Sequence, residues 1–169
     1  MKFTFANLQH VEAIFFDFDG VFTDNTVYLA SDGTEMLKFS KSDSLGLDLI
    51  RVFFVKHDLN LQLAVISRER SSIVTLRTEK LNLACFQGVN DKREFIEKKL
   101  GIQGGKYIFF GNDVNDLGAM TGAFMSFAPS DAHPSVKDIA THVLIQRGGE
   151  GFVRAGLEFL MDNANLKEC

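Results

Sequence analysis

No apolar run in the chain reaches the length needed to cross a membrane, and Met1-Lys2-Phe3-Thr4-Phe5 leads into no apolar core of a secretion signal. This reads as a soluble, cytoplasmic protein with no membrane partner. Cysteine is nearly absent: Cys85 lies in an apolar run, Cys169 is the last residue, and no metal or redox spacing links them, so both read as reduced thiols. There is no excess of positive charge either. Eighteen Lys and Arg stand against 22 Asp and Glu, for a net charge of −4, and the basic residues form no stripe, which argues against a nucleic-acid partner. The chain lacks a GxxxxGK[ST] loop, which argues against nucleotide triphosphate hydrolysis of the Walker type. It also lacks repeats, linkers and tryptophan, the last against seventeen phenylalanines.

What is present begins with Ile14-Phe15-Phe16-Asp17-Phe18-Asp19-Gly20-Val21-Phe22-Thr23-Asp24. The apolar run reads as a strand buried on both faces, and Gly20 lets the chain turn sharply as it leaves the sheet. Asp17 and Asp19, two apart on an extended chain, point the same way. Two like charges so close are costly unless a cation lies between them. A hard cation such as Mg²⁺ takes oxygen ligands and leaves room for a substrate phosphate, so a metal and phosphate site is the expectation. On its own, the pair would read only as a turn that closes a strand.

The remaining pattern places further groups at strand ends. Residues 26–30 and 35–39 flank Ser31-Asp32-Gly33-Thr34 and predict a β-hairpin flap over about 26–39. Helices are predicted over 43–56, with Ser42 or Asp43 as N-cap, and over 71–81, 90–100, 115–120 and 151–161. Gly101 is read as the C-cap of the 90–100 helix. Strands are predicted over 61–66, 84–87, 107–110 and 141–145. This alternation demands a mainly parallel sheet: an α/β, Rossmann-like three-layer sandwich. At 169 residues the chain suits a single domain, residues 1–169, burying roughly 70% of its unfolded surface.

Ser67, Lys92 and the run Gly111-Asn112-Asp113-Val114-Asn115-Asp116 then join the acidic pair. Phosphoryl transfer uses each kind of group. A carboxylate can attack phosphorus, and a second can protonate the leaving alkoxide and later deprotonate water. A cation, a lysine and a hydroxyl offset the charge on the equatorial oxygens. Taken singly, Ser67 reads as a cap, Lys92 as solvated surface in Asp91-Lys92-Arg93-Glu94, and 112–116 as the start of a helix. Their order along the chain is what raises the joint reading.

Asp17-Phe18-Asp19-Gly20-Val21, Ser67, Lys92 and 111–116 resemble the four motifs of the haloacid dehalogenase superfamily, spanning nearly the whole chain. The resemblance implies a Rossmann-like fold and Mg²⁺. It makes Asp17 the nucleophile and Asp19 the acid and base, and it puts Ser67 and Lys92 on the phosphate. Asp17, the Asp19 carbonyl and Asn112 would ligate the metal, with Asp113 the alternative in register; many relatives have Asp where this chain has Asn112.

Asp19-Gly-Val-Phe-Thr-Asp24, Asp43-Ser-Leu-Gly46, Asp131-Ala-His-Pro134 and Gly148-Gly-Glu-Gly151-Phe-Val-Arg154 resemble the capless branch that contains 3-deoxy-D-manno-octulosonate 8-phosphate phosphatases. That likeness implies a homotetramer in which hairpins assemble and a neighbouring subunit closes the site. Only about 40 residues separate Asp24 from the Ser67 strand, and the hairpin and a helix use them, which excludes a large cap. The substrate implied is a 2-keto-3-deoxy sugar acid phosphate of eight carbons. After Ser67 stands Arg68-Glu69, where the octulosonate enzymes usually have Gly-Arg; Glu69 with Lys80 resembles instead the relatives that act on nine-carbon nonulosonate 9-phosphates, and the two read equally well as ordinary helix-surface charge. Arg77 and Arg154 are candidates for the substrate carboxylate, each equally readable as part of a structural ion pair. Two rivals stand beside the enzyme: a receiver-like phosphoacceptor module, which needs an acceptor Asp where Ser67 stands, and a catalytically silent assembly domain.

Overall fold

The computed structural model describes residues 5–165. Its centre is a six-stranded, wholly parallel sheet in the order β5-β4-β1-β6-β7-β8. The strands are β1 (Ala13–Phe16), β4 (Gln62–Ile66), β5 (Ala84–Phe86), β6 (Tyr107–Phe110), β7 (Met125–Ala128) and β8 (His142–Val143). A separate antiparallel hairpin pairs β2 (Tyr28–Leu29) with β3 (Glu35–Met36). The hairpin ladder is shorter than the two five-residue strands expected from sequence, because its side chains meet no sheet and lie exposed.

Side chains alternate across the central strands and separate two cores. Ile14, Phe16, Val65, Ile108 and Phe110 face one side, beneath α2 (Lys41–Lys56), α3 (Ser72–Lys80) and α7 (Phe152–Asn165). Ala13, Phe15, Ala64, Ile66, Tyr107 and Phe109 face the other, beneath α4 (Lys92–Glu94), α5 (Leu117–Gly122) and α6 (Pro134–Ile139). The phenylalanines fill the first core as a connected set. Phe110 touches Phe16, Phe127 and Phe152, and Phe127 touches Phe159. Such ring pairs add about 0.5–1.5 kcal/mol each beyond their buried area.

Several elements differ from the sequence reading. α1 (Phe5–Leu8), β7 and α6 were not expected. α2 begins after Ser40, whose hydroxyl accepts from Ser42 N–H, so the N-cap is neither Ser42 nor Asp43. The expected 90–100 helix has only one α turn, capped by Asp91, and then widens into a π turn at Phe95–Lys99 with Leu100 N–H reaching the Phe95 carbonyl. Gly101 follows with φ +75°, a conformation that favours glycine. Residues 114–116 form a 3₁₀ turn ahead of α5, and α7 runs to Asn165 rather than stopping at 161. Cys85 is a half-buried free thiol, while Cys169 lies outside the described residues. Among the described residues no helix is long and apolar enough to cross a membrane.

The strand order fixes where a ligand can sit. From β1 the chain moves outward to β4 and β5, then returns to lay β6 on the other side of β1. The crevice beyond the carboxyl ends of β1, β4 and β6 is therefore a topological switch point.

Candidate active site

Each strand end at that crevice delivers a polar group. Asp17 follows β1, Ser67 follows β4, and Gly111 to Asp113 follow β6. Backbone bonds hold the exits in place: Asp17 N–H donates to the Phe110 carbonyl, Ser67 N–H to Phe86, and Gly111 N–H to Phe127. A cavity of about 170 Å³ opens between them, lined by Asp17, Asp19, Asn25, Ser67, Arg68, Glu69, Asn112, Asp113 and Asn115. A second chamber of about 280 Å³ shares Asp19, Asn25 and Glu69 with it and runs beneath the hairpin, past Glu35, Leu37, Ser71 and Val74.

Lys92, readable from sequence as solvated surface, is buried at the first turn of α4. Its Nζ lies 2.6 Å from Asp17 Oδ1 and 2.7 Å from Asp116 Oδ1. Sequence reasoning gave Asp116 no role beyond the acidic cluster, yet it anchors the whole corner. Its other oxygen accepts from Asn112 N–H at 2.9 Å and Asp113 N–H at 3.3 Å, and a Cβ on Gly111 would stand 2.7 Å from its own Cβ. Asp116 thus holds Lys92 against Asp17 and folds the Asn112 loop in one stroke. Both its oxygens are engaged.

Burial pushes the Asp17 carboxyl up to about 7; the like charge of Asp116 adds to this, and Lys92 and Phe18 N–H oppose it. A carboxylate that is to attack phosphorus must be ionised, and a cation bound beside Asp17 would favour that form. Burial, and then the charge of Glu69, also push Asp19 upward, which favours the protonated form a general acid needs. The loop after Asp19 is tied by Thr23, whose buried hydroxyl accepts from Gly20 N–H and Asn25 N–H.

Among the described residues no three Asp, Glu, His or Cys side chains are arranged to hold a metal ion. The candidate donor set is mixed, and one member of it is conspicuous: Asn112 Oδ1 is buried and has no hydrogen-bond partner. A buried acceptor left alone costs roughly 1–3 kcal/mol. Beside two carboxylates whose protons are held too tightly, an unpaired amide oxygen is what an oxygen-seeking cation would satisfy. Asp113 lines the same cavity, with Oδ1 accepting from Val114 N–H at 2.7 Å.

Not every sequence candidate reaches the crevice. Arg68 and Glu69 line it, whereas Arg77, Lys80 and Arg154 do not. Arg77 donates to Ser44 Oγ at 2.9 Å and lies over the Phe39 ring, its centre 5.0 Å away. Arg154 pairs with Glu158 at 2.8 Å, and Lys80 is exposed at the end of α3. Asn115, inside the 111–116 run but given no role from sequence, also lines the cavity, as does Asn25, which no motif marks.

A family model for haloacid dehalogenase-like hydrolases matches residues 5–155. The chain belongs to that family. The 3-deoxy-D-manno-octulosonate 8-phosphate phosphatase KdsC of Salmonella typhi is 28% identical over 158 residues, covering 90% of this chain and 80% of that protein. The crystal structure of the 3-deoxy-D-manno-octulosonate 8-phosphate phosphatase from Moraxella catarrhalis, in complex with magnesium, phosphate and KDO, superposes with a TM-score of 0.84 at 26% identity, covering 95% of this chain and 91% of that one. The cobalt-bound deoxy-D-mannose-octulosonate 8-phosphate phosphatase of Haemophilus influenzae gives 0.80 at 27% identity, covering 93% and 91%. This hydrolase is therefore an α/β, Rossmann-like enzyme fold with a small hairpin and no large cap.

Proposed function

We propose that this hydrolase is a Mg²⁺-dependent phosphomonoesterase that removes the terminal phosphate of a 2-keto-3-deoxy sugar acid, 3-deoxy-D-manno-octulosonate 8-phosphate being the first candidate. One observation carries the reading: Asp17, at the end of the central strand, shares a small cavity with Asp19, Ser67 and an unpartnered Asn112 oxygen while Lys92 touches it at 2.6 Å. The names of the similar phosphatases support the substrate class.

Asp17, the Asp19 carbonyl and Asn112, with Asp113 beside them, would hold Mg²⁺, which when bound offsets negative charge on the phosphate and on Asp17. The chain's residues do the rest. Asp17 attacks phosphorus and becomes the aspartyl-phosphate. Asp19 gives its proton to the departing sugar oxygen, then takes one from the water that opens the intermediate. Ser67 and Lys92 hold the phosphoryl oxygens. Glu69 meets the sugar where the two chambers join, and Arg68 meets it from the first.

The exposed apolar hairpin supports a homotetramer whose neighbouring subunit covers the crevice: Tyr28 is 53%, Leu29 69% and Met36 57% exposed. Water exclusion in a chain without a cap then comes from assembly. In that arrangement Lys80, Arg77 and Arg154 serve a neighbour's sugar acid or the interface. A cytoplasmic location fits the substrate.

Glu69 favours a second reading. It lines both chambers, and a carboxylate there suits a longer polyhydroxy tail, as in a nine-carbon nonulosonate 9-phosphate. Phosphate release from eight- and nine-carbon ulosonate phosphates, with and without EDTA, tests both. Turnover that survives EDTA, or persists in Asp17→Asn, would remove the proposal.

A further inference from the structure

The Asp19 loop is held on two sides at contacts where only glycine leaves room for the approach. On one side, Gly20 (φ +76°) lies so close to Asn112 that a Cβ would overlap the amide nitrogen. On the other lies the loop 148–151, ahead of α7. A Cβ on Gly148 would overlap the Gly20 carbonyl oxygen and stand 2.9 Å from Thr23 O; one on Gly149 (φ +67°) would stand 2.5 Å from Thr23 C and 2.6 Å from Asp24 N. These neighbours are backbone, which cannot rotate aside. Gly149 N–H donates to the Val21 carbonyl at 3.1 Å, joining the two loops directly.

Both ends of the strap are pinned by carboxylates outside the cavity. At its entry Asp131 Oδ1 accepts from Gly148 N–H at 3.0 Å, and the same carboxylate lies 3.4 Å from Arg147. At its exit the buried Asp43, in the first turn of α2, accepts from Arg154 N–H at 2.9 Å, while Gly46 one turn on lets the backbone at Arg154 come close. Lys38, at the hairpin's foot, lies 3.5 Å from both Asp24 and Glu150, an exposed pair of contacts that adds little.

We infer that 148–151 is a positioning strap for the general acid: it holds the 20–24 turn against Asn112 so that the Asp19 carboxyl faces the leaving oxygen, with Asp131 and Asp43 as its pins. The inference rests on the acid role given to Asp19 above. Gly148, Gly149 and Asp131 touch no substrate. They act through the backbone that carries Asp19, and a misplacement of about 1 Å at a reacting group can cost roughly 10²-fold in rate.

The step that depends on such positioning is proton delivery: the P–O bond to the sugar breaks as Asp19 O–H passes its proton to that oxygen. A good leaving group needs no proton. The test therefore compares a sugar phosphate with dinitrophenyl phosphate in Gly148→Ala and, where that variant fails to fold, in Asp131→Ala. Expected is a fall of about 10²-fold in kcat on the sugar phosphate with little change in KM, against a burst of dinitrophenolate reduced by no more than a few-fold. Asp131→Asn, which keeps the accepting oxygen, restores the sugar phosphate rate. Equal losses on both substrates, or none, would overturn the strap. Amide hydrogen exchange supplies an arm independent of turnover: residues 20–24 exchange at least about tenfold faster in the variants while 107–110 do not. Unchanged exchange at 20–24 rejects the strap even in an active enzyme. A wild type with no phosphatase activity rejects the assignment of the reaction, and the exchange data then decide the clamp alone.

Discussion

Replacing Asp43 by Asn should change the way stability depends on pH. Asp43 is 1% exposed; Oδ1 takes the Arg154 N–H and Oδ2 is buried with no partner. Burial pushes its carboxyl up to about 6, from an ordinary 3.8, against the opposing pull of the Arg154 N–H and the Arg77 charge. The folded pKa is above the unfolded one, so this group's contribution to stability is fully present below about pH 3.8 and lost as pH rises through 6. A shift of a little over two units costs about 3 kcal/mol at pH 8, at 1.36 kcal/mol per unit, of which about 1 kcal/mol is already lost at pH 4.5. Asn keeps the accepting oxygen and never ionises. Whatever constant offset the swap brings, the variant therefore gains about 2 kcal/mol on the wild type between pH 4.5 and pH 8. Guanidinium unfolding at a fixed protein concentration over that range measures the difference. Curves that run parallel, within about 0.5 kcal/mol, would refute the reasoning, since Asp43 would then titrate alike in both states.

Lys92→Met leaves Asp17 and Asp116 facing each other without their shared cation. Guanidinium unfolding should show a loss of about 3–5 kcal/mol, together with loss of turnover; a stability unchanged within error would mean the buried pair is not formed. Asn112→Asp places a charge where the unpartnered oxygen now lies. Calorimetry with Mg²⁺ alone should show on the order of tenfold tighter binding, while the metal-free variant melts lower than wild type because a further carboxylate then crowds a cavity already lined by Asp17, Asp19, Glu69 and Asp113. An affinity that does not move would take Asn112 off the metal.

The parts legible in sequence are those where composition and position agree. The runs 14–16 and 107–110 are uninterrupted and apolar because their strands are buried on both faces, 61–66 is interrupted only by Gln62 at its exposed start, and each leads into polar residues at the crevice. β7 escaped notice because Met125-Ser126-Phe127-Ala128 carries a serine in its middle. That serine is buried and satisfied by Thr141: its hydroxyl accepts from the Thr141 N–H, and its own N–H donates to the Thr141 hydroxyl. A partner fifteen residues on leaves no mark in a local window. Lys92 was hidden for the opposite reason, since neighbours of both signs make a charged run look solvated until α4 turns one member inward. Asn25 and the backbone contacts of Gly148 and Gly149 depend on loops meeting from distant strands, and glycine composition alone does not say what approaches it. The motifs named the chemistry; the tertiary fold decided which of Arg68, Arg77, Lys80 and Arg154 stand near it.

The placement of β1 has a consequence for how the molecule is made. Ala13 ends up between Gln62 and Tyr107, both of which follow it in the chain, so one flank stays open until the chain has grown past β6. Throughout that interval Ile14, Phe15 and Phe16 have no sheltering neighbour on that edge. Pairing between such distant segments is slow and leaves sticky surface on view. The crevice at the end of β1 cannot be completed before β6 docks, so its open edge is exposed to mispairing until then.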